Sequence, residues 1–347
     1  MRILRHLDAV PEDCRGAVVT LGNFDGFHRG HQAVLIEAAK VADRLGAPLC
    51  VLTQEPHPRA FFRPGAPPFR LSSLRAKAGY LEEFGVDILV VLHFDATLAG
   101  TLAQDFVMDT LMTRLGVRHV VIGYDYRFGK GRGGGTNVLR HMSEMEGFGV
   151  TVVEPSATDG VVHSSTAIRE ALVDGRPYDA AALLGHWWTI DGRVQEGDKR
   201  GRTIGFATAN LPIDELLQPK LGVYAVRARI EDGPQEGAYD AVANIGVRPT
   251  FGKTHVLFEI HLLDFSGDLY GRHLHAEIVE FIRPERKFDG LESLKAQIAA
   301  DAETARRILA DEKYRADAFT MITRAAAKPD AIGSSEQSRI IGSASRV

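Results

Sequence analysis

The stretch "AVVTLGNFDGFHRGHQAVLIEAAKVADRL" (Ala17–Leu45) decides the fold of the first half of the chain. Its first residues, "AVVTLGN", are the apolar and β-branched run of a buried strand, and Gln32–Leu45 has the apolar spacing of an amphipathic helix. Gly22 lies at the end of the first pattern, and Gly26, Gly30 and two histidines, His28 and His31, lie between the two patterns. The stretch therefore predicts a strand that turns directly into a helix, with imidazoles at the turn.

Residue chemistry leaves three interpretations of this turn open. A phosphate site is favoured, because N–H groups at a helix N-terminus bind anions, glycines admit a phosphate close to the backbone, and imidazoles donate hydrogen bonds. A structural role, with the histidines capping the helix start, is the second. A metal site is the third, since Asp25, His28 and His31 are spaced i, i+3, i+6, although no fourth ligand is nearby and the glycines have no role in it.

Strand and helix patterns continue to alternate up to about residue 155. Apolar runs typical of strands are "PLCVLT", "VDILVVLHF", "VRHVVIG" and "VTVVEP", and helical patterns cover Ser72–Phe84, Leu102–Leu115 and "NVLRHMSEM". Continuous β-branched runs between helices indicate parallel strands that are covered on both faces. We therefore predict an α/β, doubly wound domain, whose ligands bind at the carboxyl ends of the strands.

The pattern changes near Leu184 to short segments in which apolar and polar residues alternate. They are "WTIDGRVQEG", "GVYAVRARIE", "AYDAVANIG", "HVLFEIHLL" and "HLHAEIVEFI", and turn-forming residues separate them. This pattern predicts an antiparallel β-barrel, followed by a helix from Leu291 to about Ile308. A short helical passage, Thr166–Leu184, is the predicted linker, and the tail from about Ala327 is predicted to be disordered.

The composition excludes several classes of protein. The chain has 347 residues, long enough for two domains, and its 45% hydrophobic and 25% charged residues are ordinary for a soluble globular protein. A net charge of −4 provides no general basic field for nucleic acid, and no apolar run reaches the ~18 residues of a membrane span. The N-terminus lacks the apolar segment of a signal peptide, and Cys14 and Cys50 form no metal or disulfide pattern. We expect a cytoplasmic protein without nucleic-acid or membrane partners.

Several blocks of the first half resemble one family. "GNFDGFHRGH" resembles the His-x-Gly-His signature of the nucleotidylyltransferase superfamily, in the form found in bacterial bifunctional riboflavin kinase/FAD synthetases. "TQEPHPRAFFRPGAPPFRLSS", "GYDYRFGKGRGG" and "HSSTAIREAL" resemble the family's following blocks, with Gln54 for Phe, Tyr126 for Phe and His163 for Ile. The resemblance implies a Rossmann-like FMN adenylyltransferase domain over residues 1–184.

This resemblance implies roles for individual residues in making FAD from FMN and ATP. His28 and His31 are implied as catalytic groups that contact the ATP phosphates. The residues implied to bind ATP are Gly22, Asn23, Gly30, Ser164, Ser165, Thr166 and Arg169. The residues implied on the flavin side are Phe62, Asp125 and Arg127. Without the opening motif, Ser164–Thr166 is better explained as a plain helix N-cap, and a core role for Phe62 is a close alternative.

The second half resembles the riboflavin kinases of the same family. "GRTIGFATANL" resembles their Gly-Phe-Pro-Thr-Ala-Asn signature, and "ANIGVRPTFG" and "FEIHLLDFSGDLYG" follow in the family's order. The resemblance implies a kinase domain over residues 185–312, which transfers the ATP γ-phosphoryl group to riboflavin, and leaves 313–347 as a helix end and tail. The substrates implied for the whole chain are riboflavin, FMN and ATP.

Roles in the kinase domain follow in the same way. Thr208 and Asn210 are implied ligands of Mg²⁺, a cation that prefers oxygen donors. Glu259 is the candidate general base, because a carboxylate in the apolar "LFEIHLL" is costly without a purpose, although a buried Glu paired with an Arg is the alternative. Residues implied in the flap over ATP are Gly201, Arg202 and Gly205, and Arg283 is a candidate charge partner.

One residue departs from the kinase signature. Ala207 stands where the family has proline before Thr208. Proline fixes φ, so alanine loosens the restraint on Thr208. We expect kinase activity to persist in weakened form, because Thr208 and Asn210 are both retained.

Three other functions compete with a bifunctional enzyme. A flavin- or nucleotide-binding regulator with dead sites is disfavoured by the intact candidate residues. An adenylyltransferase for another substrate fits the opening motif but not the barrel blocks. Nucleic-acid binding by the barrel lacks a basic stripe interleaved with aromatic residues.

Overall fold

The computed structural model describes residues 1–158, 161–196, 208–233, 235–250 and 253–326. Packing divides the chain into two compact units. The N-terminal unit contains residues 1–66, 77–162 and the segment that begins at Met321, and the barrel unit contains residues 67–76 and 163–320. Residues 163–184 thus pack with the barrel, while the functional division after residue 184 stays a prediction. The predicted disordered tail from Ala327 lies outside the described residues.

The described part of the N-terminal unit contains a six-stranded parallel sheet, which confirms the five predicted strands and adds an edge strand at Arg2–Leu4 that the sequence pattern missed. Its strands are β1 (Arg2–Leu4), β2 (Val18–Leu21), β3 (Leu49–Glu55), β4 (Ile88–His93), β5 (His119–Gly123) and β6 (Gly149–Val153). Their order is β1-β4-β3-β2-β5-β6. From β2 the chain runs outward through β3 and β4, then returns to place β5 on the other side of β2. The carboxyl ends of β2 and β5 therefore form the switch point, where open α/β sheets bind ligands.

Helices follow most of these strands. They are α1 (Arg29–Leu45), α2 (Pro58–Phe62), α3 (Leu74–Phe84), α4 (Ala96–Gly100), α5 (Ala103–Asp105) and α6 (Thr136–Glu146). The predicted single helix Leu102–Leu115 is wrong in one respect, because α5 continues as a π-helix over Phe106–Arg114. The spacing of apolar residues does not distinguish an α-helix from a π-helix, since each type of helix buries one stripe of side chains. A short hairpin, β7 (Ala157–Thr158) with β8 (Val161–Val162), ends this part of the chain.

The described part of the barrel unit contains six antiparallel strands in the order β10-β13-β12-β11-β14-β9. These strands are β9 (Trp188–Arg193), β10 (Ala209–Pro212), β11 (Gly222–Ile230), β12 (Gly237–Thr250), β13 (Lys253–Leu262) and β14 (His273–Arg283). A bridge between Gln195 and Asn210, with an N···O distance of 2.9 Å, joins the two edges of the sheet. The predicted barrel is confirmed, and the sequence pattern missed only the short strand β10.

Helices complete the barrel unit. The predicted linker consists of α7 (Ser165–Val173) and α8 (Pro177–Leu184), and α9 (Leu291–Ala310) is the predicted terminal helix. Tyr224 and Val226 in β11 contribute to one apolar cluster, and the alternate residues Val223 and Ala225 contribute to another with Ala305 of α9. Both faces of β11 are therefore buried, which explains its apolar composition.

Candidate active sites

A strained, buried loop connects β2 to α1. Phe24, Gly26 and Phe27 have φ values of 48°, 81° and 45°. These values lie in the left-handed region, which residues other than glycine rarely adopt. Phe24 is 1% exposed and Phe27 is fully buried, so core packing holds both residues in this conformation. Such strain is found where the surrounding structure fixes a functional geometry. The loop delivers the chain directly to His28.

His28 begins α1 as its N-cap residue. Its Nδ1 accepts a hydrogen bond from the backbone N–H of His31 at 3.4 Å, and the two imidazoles stack with centroids 3.6 Å apart. The capping interpretation is therefore confirmed, and it leaves the ring pair at the positive end of the helix dipole. Among the described residues, no group of three or more His, Cys, Asp or Glu side chains is placed to hold a metal ion.

The predicted glycine and asparagine positions lie at the same turn. Gly22 donates its N–H to the carbonyl of Leu52 in β3 at 3.2 Å, and a Cβ at Gly22 would lie 3.0 Å from the Phe24 ring. The Asn23 carbonyl accepts from the Thr53 hydroxyl at 3.4 Å. Gly30 lies in the first turn of α1. The neighbouring strand β3 therefore holds the turn, and a side chain at Gly22 would disturb it.

The candidate flavin residues follow β3 and β5, the two strands that flank β2. Phe62, in α2, is 64% exposed and contacts the Phe61 and Phe94 rings edge-on, so its alternative role as a core residue is wrong. Asp125 and Arg127 are exposed in the loop after β5. A Cβ at Gly135 would lie 2.5 Å from the Arg127 guanidinium, so glycine leaves room for that group.

Ser164, Ser165, Thr166 and Arg169 lie at the start of α7. The Ser164 hydroxyl caps this helix by accepting from the Ala167 N–H at 3.3 Å, which confirms the N-cap alternative for this residue. Arg169 donates its Nε–H to the Phe69 carbonyl at 2.8 Å, and its guanidinium carbon lies 5.6 Å from the centre of the Phe69 ring. Packing places this block in the barrel unit, whereas His28 and His31 belong to the N-terminal unit.

A row of polar side chains crosses three strands of the barrel. Asn210 in β10 and Asn244 in β12 are the register partners of Glu259 in β13, one on each side. Residues directly opposite one another in a sheet point to the same face. Glu259 is partly buried, on the face opposite its buried neighbours Phe258 and Ile260. Thr208 lies two residues before Asn210, next to the same row.

Two residues of this region were missed by the sequence analysis. Asn244 belongs to the row, and its Nδ2 donates to Oε1 of Glu285 at 3.3 Å. A Cβ at Gly246 would lie 2.3 Å from the same oxygen, so Gly246 leaves room for the Glu285 carboxylate. No local pattern marks Asn244 or Glu285, because strand register places Asn244 opposite Glu259 and a hydrogen bond links Glu285 to Asn244. The family-like "ANIG" was the single available signal.

The remaining kinase candidates have different outcomes. Arg283 forms a two-point ion pair with Asp301 of α9, with Nε–Oδ1 and Nη2–Oδ2 distances of 2.9 and 2.6 Å. Arg283, predicted as a charge partner, is therefore the partner of Asp301. The candidates outside the described residues are Gly201, Arg202 and Gly205, together with Ala207.

Comparison with known families gives two matches along the chain. The FAD synthetase family model matches residues 10–167, and the riboflavin kinase family model matches residues 184–309. The first match contains the β2–α1 turn, and the second contains the row around Glu259. Both family models match in the order that the sequence blocks indicate.

Relatives resemble the chain over nearly their whole length. A bifunctional riboflavin kinase/FMN adenylyltransferase of Escherichia coli K12 is 42% identical over 306 residues, which is 88% of this chain and 96% of the relative. The enzyme of the same name from Pseudomonas fluorescens is 42% identical, over 91% of this chain and 100% of the relative. The one from Listeria monocytogenes is 39% identical, over 84% of this chain and 92% of the relative. A crystal structure described as a macrolide-efflux protein from Streptococcus pneumoniae has a TM-score of 0.77 at 32% identity, covering 88% of this chain and 98% of its own. In the described part of this chain, no helix has the length and apolar character needed to cross a membrane.

Proposed function

The chain belongs to the bifunctional riboflavin kinase/FMN adenylyltransferase family, and from this premise we propose which residues carry each of its two reactions. The chain is a riboflavin kinase and an FMN adenylyltransferase, so its substrates are riboflavin, FMN and ATP. The observation that carries the assignment is the presence of both domains, in tandem, with candidate residues in each. We assign adenylylation to residues 1–184 and phosphorylation to residues 185–312.

Adenylyl transfer needs positioning and charge neutralisation more than covalent chemistry. An oxygen of the FMN phosphate attacks the α-phosphorus of ATP, and the bond from that phosphorus to pyrophosphate breaks. His28 and His31 donate hydrogen bonds to the charge that develops on the phosphoryl oxygens, supported by their stacked position at the start of α1. Gly22, Asn23 and Gly30 shape the turn that receives the phosphates.

The other candidate residues bind the β- and γ-phosphates of ATP or the flavin ring of FMN. The residues assigned to the β- and γ-phosphates are Ser164, Ser165, Thr166 and Arg169, at a helix start that favours anions. Phe62 offers an exposed ring for stacking on the flavin, and Asp125 and Arg127 are exposed after β5, whose end adjoins that of β2. The position of Asp125 and Arg127 at the switch point of the sheet supports their assignment.

Phosphoryl transfer to riboflavin needs a base and neutralised phosphates. Glu259 accepts the proton of the 5′-hydroxyl while that oxygen attacks the γ-phosphorus of ATP and ADP leaves. Asn210, opposite Glu259 in the sheet, and Thr208, two residues before it, offer neutral oxygen atoms, a donor set that fits Mg²⁺. Bound there, Mg²⁺ supplies positive charge to the phosphate oxygens. The flap assigned over ATP consists of Gly201, Arg202 and Gly205.

Cysteine chemistry supports a cytoplasmic location. The chain contains two cysteines, Cys14 and Cys50. Both are buried and neither forms a disulfide, and burial raises the pKa of the Cys50 thiol. Reduced, unreactive thiols are typical of cytoplasmic proteins.

One experiment tests the assignment. The purified chain is incubated with riboflavin, ATP and Mg²⁺, and the flavins are separated by chromatography. We expect FMN to form first and FAD to follow. FMN alone would mean an inactive adenylyltransferase domain, and the absence of both products would favour a flavin-binding regulator.

A further inference from the structure

The chain returns to the N-terminal unit after the barrel. Residues 321–326, here called the C-terminal strap, pack with that unit, although they follow the barrel's helix α9 in sequence. The riboflavin kinase family match ends at residue 309, so the strap lies beyond both matched domains. Met321 at its start is 7% exposed, and therefore the strap begins with a buried side chain.

Arg324 attaches the strap to three elements of the N-terminal unit. Its Nη2 and Nε lie 2.5 and 3.2 Å from Oδ1 of Asp43 in α1, and its Nη1 lies 2.9 Å from Oδ2 of Asp87, just before β4. Its backbone N–H donates to the Phe84 carbonyl at the end of α3, at 2.7 Å. The Arg324 side chain is only 19% exposed, so these ion pairs are less screened by solvent than ordinary surface pairs.

The strap also touches the first turn of α1. The N–H of Ile322 donates to Oε1 of Gln32 at 3.4 Å, and Nε2 of the same amide donates to the Phe27 carbonyl at 3.0 Å. Gln32 is 1% exposed, and burying an amide is costly unless it is hydrogen-bonded. Phe27 is the left-handed residue that immediately precedes His28. Gln32 therefore links the strap to the strained loop that presents the histidines.

The two attachments hold α1 near both of its ends. Asp43 follows Gln32 by eleven residues, which is about 16 Å along the helix axis. Ile322 and Arg324 therefore restrain both the start of α1, where the imidazoles lie, and its last turn. A displacement of about 1 Å in a group that stabilises a transition state costs up to a hundredfold in rate.

We propose that Arg324 and Gln32 are positioning residues for adenylyl transfer, through which the C-terminal strap holds the His28–His31 turn in its active geometry. The proposal rests on the assignment of these histidines to FAD synthesis. It makes residues at the end of the chain, beyond the kinase domain, part of the adenylyltransferase. Riboflavin phosphorylation does not depend on the strap, because the Glu259 row is built by the barrel strands.

The test compares two truncations and three point variants of the full enzyme. One truncation removes residues 321–347 and the other removes only residues 327–347, so their difference is the strap. Arg324→Ala removes the ion pairs with Asp43 and Asp87, and Arg324→Lys retains the positive charge but not the planar guanidinium that donates several hydrogen bonds. Arg306→Ala is the control, since it breaks an ion pair with Asp264 in the barrel unit. Measurements are kcat and KM for FMN formation and for FAD formation, and hydrogen exchange of residues 22–32.

Loss of the strap or of the Arg324 side chain lowers kcat for FAD formation about tenfold, with KM for ATP changed by less than about threefold. Hydrogen exchange of residues 22–32 rises in the same variants, FMN formation is unchanged, and Arg324→Lys is intermediate. Removal of 327–347 and Arg306→Ala change none of these quantities. A merely structural strap would lower the unfolding temperature without changing kcat well below it.

Two results would overturn the proposal: full kcat and unchanged exchange without the strap, or equal loss of both activities in a folded variant. A wild-type chain that makes no FAD would refute the assigned function instead. The exchange measurement would then still show whether the strap orders the turn.

Discussion

The two candidate sites differ in how their residues are distributed along the sequence. His28, His31 and the turn that presents them come from one continuous stretch at the end of a parallel strand. The Asn210–Glu259–Asn244 row comes from three antiparallel strands and is assembled by register. A site at a strand-to-helix turn is visible as a motif, whereas a site across a sheet depends on which residues happen to face each other. The first should therefore be sensitive to loop geometry, and the second to strand register.

The largest expected effect is at His28. His28→Ala removes a donor to the transition-state charge and should lower FAD formation from FMN about a thousandfold, while FMN formation is unchanged. His28→Asn separates chemistry from capping, because asparagine is an excellent N-cap but has no imidazole. If His28→Asn keeps wild-type FAD formation, the histidine serves only as the cap observed here. His141→Ala, at an exposed position of α6, is the control.

Glu259→Gln should have the second-largest effect. The variant keeps the size of the side chain but not the base, so FMN formation should fall by roughly a hundredfold or more. FAD formation from supplied FMN should stay at the wild-type rate. Glu292→Gln, an exposed carboxylate at the start of α9, serves as the control. Loss of both activities in a folded Glu259→Gln enzyme would contradict the division of labour between the domains.

Acid should weaken the barrel unit through His275 in β14. Burial and the charge of Arg229 lower the pKa of His275 to about 4, against opposing contributions from Glu231 and Asp191, while His186 adds to the lowering. Because the folded state binds fewer protons than the unfolded state between about pH 4 and 6.5, stability falls as pH falls through that range. The loss is on the order of 2 kcal/mol.

Tryptophan fluorescence can report the loss of stability of the barrel unit separately from the N-terminal unit. The chain has two tryptophans, Trp187 and Trp188, and both belong to the barrel unit. Urea unfolding followed by tryptophan fluorescence at pH 7, 5.5 and 4.5 should show a falling free energy of unfolding. His275→Gln should flatten this dependence, and an unchanged slope in that variant would assign the acid sensitivity elsewhere.

Asn244→Ala tests whether register assembles the kinase site. Without its amide, the Glu285 carboxylate loses a hydrogen bond and Glu259 loses a neighbour in the row, so FMN formation should fall about tenfold. FAD formation should be unaffected. Asn137→Ala, on the exposed side of α6, is the matched control. An unchanged kcat for FMN formation would exclude Asn244 from the site.

The smallest expected effect is at Ala207. Ala207→Pro restores the residue that the family has before Thr208 and should raise FMN formation by about twofold, through a tighter restraint on φ. The rate should be measured over a range of Mg²⁺ concentrations. If neither the rate nor the apparent Mg²⁺ affinity changes, the loop does not need the proline.

Both architectures were predictable because each follows from a periodic pattern. Continuous apolar strands between helices predicted the parallel sheet, and alternating segments predicted the barrel, with boundaries within a few residues for most elements. The π-helix at Phe106–Arg114 and the short strand β10 were missed, since neither has its own periodic signal. The glycines and histidines of the β2–α1 turn were found because they are consecutive.

The sequence by itself determined the fold class, the two tandem domains and the family, because these depend on periodicity and on motifs of neighbouring residues. Tertiary structure alone decided that Asn244 lies opposite Glu259 and donates to Glu285, since strand register is a relation between two strands. It also decided that Arg324, near the end of the described chain, pairs with Asp43 in the last turn of α1, while Ile322 contacts Gln32 near the His28 turn. The Arg324–Asp43 contact joins residues 281 positions apart, and no local pattern encodes it, because it forms only when the chain folds back on itself.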